Sequence, residues 1–111
     1  MDAERNCKLN SIDNCRFIQG DARHRLGQIG AVPDVVVLDP PRSGIHEEVI
    51  KGVLDLSPKR IVYVSCNPAT LARDLGRMIP AYELVAVQPV DMFPNTHHVE
   101  TVVKLSRRPS C

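Results

Sequence analysis

The sequence predicts an α/β domain in which parallel strands carry helices on both faces and an antiparallel strand pair closes the C-terminal end. Two short, continuous β-branched runs, Val35-Val36-Val37-Leu38 and Ile61-Val62-Tyr63-Val64, have the character of strands covered on both sides. Each is followed by apolar residues at helical spacing, and strands alternating with helices of this length argue for βαβ units. The last two strand candidates are joined by residues 89–98 without a crossover helix, which predicts an antiparallel pair at the sheet edge.

Residues 2–11 read as a helix, 16–19 as a strand and 22–29 as a helix or turn. A Val-rich strand over 34–38 stops at Asp39-Pro40-Pro41-Arg42, because proline cannot extend a ladder, and Gly44 marks the loop that follows. The helix expected over 46–56 shows Val49, Ile50, Val53 and Leu54 on one face and places Glu47 and Glu48 in its first turn, where the helix dipole favours acids. Ser57-Pro58 ends it. A strand over 60–64 leads to a helix over 68–79, with Asn67 and Pro68 as cap and first-turn residues and Leu71, Ala72, Leu75, Met78 and Ile79 at helical spacing. Strands over 82–88 and 100–105 complete the chain, and the tail from Arg107 to Cys111 is expected to fray.

At 111 residues, 24% charged and 43% hydrophobic, the chain has room for one domain. A net charge of +1 with both signs interspersed gives no electrostatic argument for nucleic acid, so such a partner has to be argued from a site. No apolar segment reads as a signal or membrane span. Cys7, Cys15, Cys66 and Cys111 form no C-x-x-C pair, and His97-His98 lacks a spaced partner pair, so neither a disulfide scaffold nor a zinc site is expected. A reduced, cytoplasmic protein without a metal is the simplest expectation.

Ser65-Cys66-Asn67-Pro68 carries the strongest chemical signal, since it sets one thiol between a buried strand and a helix N-terminus. Unpaired backbone N–H groups there favour the reactive thiolate, although the commoner fate of an intracellular cysteine is to be an inert, buried small hydrophobe. Ligands of open parallel sheets bind beyond the carboxyl ends of the strands, where Asp39 and Cys66 both fall. Glu100 begins its strand, so it reaches that same edge only if the strand runs antiparallel. Each acid also has a plain reading: Asp39 as a loop cap, Glu100 as a solvent-facing strand residue, and Asp21 as a helix cap instead of a ligand contact.

Three ordered motifs, Asp39-Pro40-Pro41-Arg42-Ser43-Gly44, Val64 to Asp74, and Phe93-Pro94-Asn95-Thr96-His97-His98-Val99-Glu100, closely resemble the S-adenosylmethionine-dependent RNA uracil-C5 methyltransferases. The resemblance extends to the stretch from Asn6 to Ala22 and so covers nearly the whole chain. It implies Cys66 as nucleophile, Glu100 as general base, Asp39 as a cofactor-contacting acid and Asp21 as an adenine contact, with S-adenosyl-L-methionine as cofactor and RNA as substrate. Uracil C5 becomes a carbon nucleophile only after a thiolate adds to C6, and a carboxylate must later remove the C5 proton, which accounts for both roles. Amino-group methyltransferases often place an aromatic residue after Asp/Asn-Pro-Pro, where this chain has Arg42. Cytosine-C5 RNA enzymes similar to this one carry a second cysteine in the Asp-Pro loop, and none lies between Val35 and Gly44. The Val90-Asp91-Met92-Phe93-Pro94 run looks more like the members acting on 23S rRNA than those acting on tRNA.

The resemblance further implies a partial Rossmann-like methyltransferase sheet. By the same resemblance the chain is expected to be a C-terminal portion of the catalytic domain, without the first strands, the glycine-rich cofactor loop or the upstream RNA-binding and iron-sulfur regions. The alternative expectation is therefore a folded fragment inactive on its own, serving at most as a binding or assembly module. Loss of the first strands should expose the edge of the strand at Val36, leading either to the Phe17 strand moving beside it or to a homodimer through that edge.

Overall fold

The computed structural model describes residues 2–91 and 99–109. In chain order it contains α1 (Asp2–Leu9), α2 (Ala22–Arg25), a 3₁₀ turn (Leu26–Gln28), β1 (Val35–Leu38), α3 (Glu47–Leu56), β2 (Arg60–Ser65), α4 (Pro68–Met78), β3 (Tyr82–Val90) and β4 (Glu100–Arg107). The four strands form one sheet in the order β1-β2-β4-β3. β1 and β2 are parallel, whereas β4 runs antiparallel to both β2 and β3 and lies between them. Pro89 is on β3, an outer strand, the place in a sheet where proline is tolerated.

The strand and helix boundaries follow local chemistry. His46 adopts an extended conformation and its Nδ1 accepts from the Glu48 N–H at 3.1 Å, starting α3. Ser57 ends it in the left-handed region at φ 52°, its N–H reaching the carbonyls of Val53 and Leu54. Along β2, Ile61, Tyr63 and Ser65 alternate inward, and their register partners Leu105 and Val103 on β4 are fully buried as well. Ile50 and Val53 of α3 and Leu71 and Met78 of α4 close over them to form the core. Burial of each such side chain contributes about 1.5–3 kcal/mol, so this one layer supplies most of the driving force.

Both long helices thus pack on the same face of the sheet, which differs from the expectation of helices on both. β1 to α3 to β2 and β2 to α4 to β3 step across the sheet in one direction, and right-handed crossovers then put both helices on one side. On the opposite face Val35 is 47% and Val37 64% exposed.

The strand expected over 16–19 does not form. A strand exists only with a neighbour, and among the described residues the outer edge of β1 has none. The segment is held instead by the Arg16 guanidinium, which donates to the carbonyls of Gln28 at 2.9 Å and Ile29 at 3.0 Å. Neither has Phe17 moved beside Val36. Leu26 of the 3₁₀ turn packs onto α3 at Gly52, where an added Cβ would meet Leu26 Cδ1 at 2.7 Å. No described helix is long and apolar enough to cross a membrane.

Candidate active site

β1 ends at Leu38, level with Tyr63, so Asp39 leaves the sheet at the carboxyl edge of the parallel pair and is exposed. β2 runs on to Ser65. Cys66 is the single residue between that strand and Asn67, the N-cap of α4, and it is half-buried. Thr101 of β4 is the register partner of Ser65, and Glu100 immediately precedes it. The antiparallel course of β4 therefore sets Glu100 at the same edge as Cys66, on the adjoining strand.

Local hydrogen bonds fix the turn that carries the thiol. The Ser65 hydroxyl donates to the Asn67 carbonyl at 2.9 Å and accepts from the Asn67 N–H at 3.1 Å, closing a ring around Cys66. Asn67 Oδ1 accepts from the Ala69 N–H at 3.0 Å, and Pro68 occupies the first turn, where its missing N–H costs nothing.

The Pro-Pro loop is tied to this turn by side chains of α4. Asn67 Nδ2 at 3.1 Å and Thr70 Oγ1 at 3.0 Å both donate to the Arg42 carbonyl, and Arg73 Nη2 donates to the Ser43 carbonyl at 2.9 Å. Beneath them lies Asp74, fully buried. Its Oδ2 accepts from the Ile45 N–H at 2.8 Å and the Tyr63 hydroxyl at 2.6 Å, while Oδ1 takes the Arg73 guanidinium at 3.2 Å. Burial first, then the bond to Asp74, pushes the Tyr63 hydroxyl well above its ordinary range, so it remains a donor. Gly44, at φ +86°, passes directly over this cluster.

Asp39 and Asp21 share a cavity of about 770 Å³, whose walls include Leu38, Pro40, Val49 and Arg73. Asp21 is already engaged: it caps α2 by accepting from the Arg23 N–H at 2.9 Å and pairs with Arg23 Nη2 at 2.8 Å. Cys66 and Glu100 are not among the residues lining that cavity and stand further along the same edge. His97, His98 and most of the third motif lie outside the described residues. Among those described, no three metal-ligating side chains cluster. The sequence reading gave no role to Asp74, although an acid inside the apolar stripe of α4 is the signal that marks it.

A mixed sheet in the order β1-β2-β4-β3 with both long helices on one face is an α/β arrangement shared with solved methyltransferases. A Streptococcus thermophilus rRNA methylase matches it over 96% of this chain with a TM-score of 0.69 at 11% identity, a likeness of fold alone. Residues 25–108 match the family model described as tRNA (uracil-5-)-methyltransferase, and the chain belongs to that family. RNA methyltransferases of uncharacterized function from Bacteroides thetaiotaomicron and Gloeobacter violaceus are 52% and 53% identical over 96% and 95% of it. The chain spans only 24% and 23% of their lengths. The crystal structure of Pyrococcus abyssi tRNA (uracil-54, C5)-methyltransferase with S-adenosyl-L-homocysteine is 40% identical, with a TM-score of 0.77 over 93% of this chain and 25% of its own.

Two outcomes are expected. A Cβ at Gly44 would meet Arg73 Nη2 at 2.5 Å and Asp74 Oδ2 at 2.7 Å in a backbone region L-residues avoid, so Gly44→Ala should lower stability in urea melts by about 1–3 kcal/mol. The Asp21 carboxyl, held down to about 2 from 3.8 by the Arg23 side chain and then its N–H, makes a contribution that is complete above the unfolded value and lost as pH falls through about 2. Carboxyl chemical shifts should show that midpoint, and Arg23→Ala should return it towards 3.8.

Proposed function

We propose that the longer protein to which these residues belong transfers a methyl group from S-adenosyl-L-methionine to C5 of a uridine in RNA, with Cys66 as nucleophile and Glu100 as base. The observation that supports this reading most is the antiparallel β4, which puts Glu100 beside the strand that ends at Cys66, with Asp39 one strand away.

The chain's own residues divide the chemistry simply. The Cys66 thiolate adds to uracil C6, forming a C–S bond and moving the C5–C6 electron pair into the O4 enolate. S-adenosyl-L-methionine supplies a methyl group made electrophilic by its sulfonium. Once C5 is methylated, Glu100 removes its proton, the C5–H electrons restore the double bond, and Cys66 leaves as thiolate. The shared cavity fits the donor by its chemistry: its volume is in the range of small-molecule sites, Leu38 and Pro40 offer apolar surface, and of its three carboxylates, Asp21, Asp39 and Glu47, the first two suit an adenine amine and a cationic sulfonium. Asp39 would hold the sulfonium side and Asp21 the adenine. A nucleophilic thiol also requires a reducing compartment, so a cytoplasmic setting belongs to the proposal.

RNA that carries 5-fluorouridine tests the reaction, because fluorine replaces the proton Glu100 must take and the adduct stalls. With cofactor present, a covalent RNA–protein band that disappears in Cys66→Ala supports the assignment. A band that persists in Cys66→Ala refutes it. Running the assay on rRNA and tRNA separates the substrates. The 23S rRNA preference rests on the Val90 to Pro94 run, whereas the matched family and the archaeal relative are named for tRNA.

A second reading concerns the chain in isolation, and the outer edge of β1, unpaired among the described residues, favours it. Without the rest of the protein this chain is an inactive fragment that binds no cofactor measurable by calorimetry and pairs with a second copy through β1. Sedimentation should then show a dimer for the chain and a monomer for Val37→Lys, since a charge on a strand edge opposes pairing. A monomer for both rejects the dimer.

A further inference from the structure

We propose that Asp74 is a positioning residue that locks the Asp39 loop and the Cys66 turn into one rigid body. The inference rests on the roles assigned above to Asp39 and Cys66, but its test does not require turnover.

Asp74 occupies the middle of the buried face of α4, between Leu71 and Met78, where packing alone would select an apolar side chain. Placing a carboxylate there costs several kcal/mol unless its lone pairs are filled, and all of its partners come from the pieces that frame the site. The Ile45 N–H belongs to the end of the Pro-Pro loop. The Tyr63 hydroxyl comes from β2, two residues before the strand ends beside Cys66. The Arg73 guanidinium, oriented by the same carboxylate, reaches on to the Ser43 carbonyl. One turn nearer the thiol, Thr70 and Asn67 hold the Arg42 carbonyl.

The Asp39 loop is thus fastened along the helix whose N-terminus presents Cys66. An interior that served stability alone would not aim each bond of a buried acid at one of these segments. The consequence is mechanical: thiol and donor-side acid keep their spacing because neither loop can shift without the other. Holding reacting groups in register is where much of an enzyme's rate arises, and a displacement of about 1 Å is enough to lose it.

Amide hydrogen exchange and thiol alkylation on Asp74→Asn test this at a temperature where the variant is folded. The amides of Gly44 and Ile45 and those of Asn67 and Ala69 should exchange faster together, by about tenfold, the effect of losing one charge-assisted hydrogen bond. Amides of Val103 and Leu105 should keep their protection, and iodoacetamide should modify Cys66 faster relative to Cys15 in the same sample. Acceleration confined to the Pro-Pro loop, or spread evenly over β2 and β4, would overturn the proposal. Thr70→Val, which removes the hydroxyl's bonds to the Arg42 and Asn67 carbonyls and leaves the Asp74 carboxylate in place, should produce the same paired acceleration in smaller degree and carries the test should Asp74→Asn not fold. Failure of 5-fluorouridine trapping would count against the assigned chemistry and leave these exchange rates as they are.

Discussion

The carboxylate of Asp74 is the constraint on which the rest of the site depends. It is an acid with no exposure, and such a group persists only where donors meet it from several directions. Here the donors come from the loop after β1, from β2 and from the adjacent residue of α4, three parts of the chain separated by as many as 29 positions. Satisfying that one group fixes how the loop bearing Asp39 sits against the helix bearing Cys66. It also explains why Gly44 must be glycine, since the backbone passes so close to the carboxylate that no side chain fits.

The sheet contributes the other half of the arrangement. Parallel strands bring Asp39 and Cys66 to one edge as a consequence of the βαβ connection. An acid at the beginning of a strand joins them only through reversal of direction. β4 supplies that reversal and is held on both sides, with its inward residues Val103 and Leu105 wholly buried. Glu100 therefore begins a strand that is paired on both sides.

Much of this was legible in the sequence, and the exceptions have physical causes. The strands at Val36 and Val62 and helices α3 and α4 fall within a residue or two of the expected bounds, because apolar runs, Asn67-Pro68 and Ser57-Pro58 are local signals. The antiparallel C-terminal pair was legible from its short connection. The segment around Phe17 was not, since its β-branched and aromatic character expresses a preference that only a neighbouring strand can realise. On α4 the expected apolar stripe included Ala72 and Ile79, yet both are exposed while Asp74 is buried. Periodicity counts apolar residues, so Asp74 shows in it only as a polar interruption of the stripe, and the hydrogen-bonded network that accounts for it does not show. For Asp21, the cap is the plainer of the two readings, the ion pair with Arg23 was not legible, and its place in the cavity beside Asp39 is what the ligand reading rests on.

The strand order carries a consequence for biosynthesis. β4 leaves the ribosome after the other three strands but takes an interior place between two of them. Until it emerges, β2 and β3 have no contact through a ladder and much of the core lacks its floor, so the sheet cannot be completed in the order in which it is translated. Assembly must wait for this last insertion. A nascent chain stalled upstream of Glu100 would hold Cys66 and the Pro-Pro loop but lack the strand that brings Glu100 to their edge.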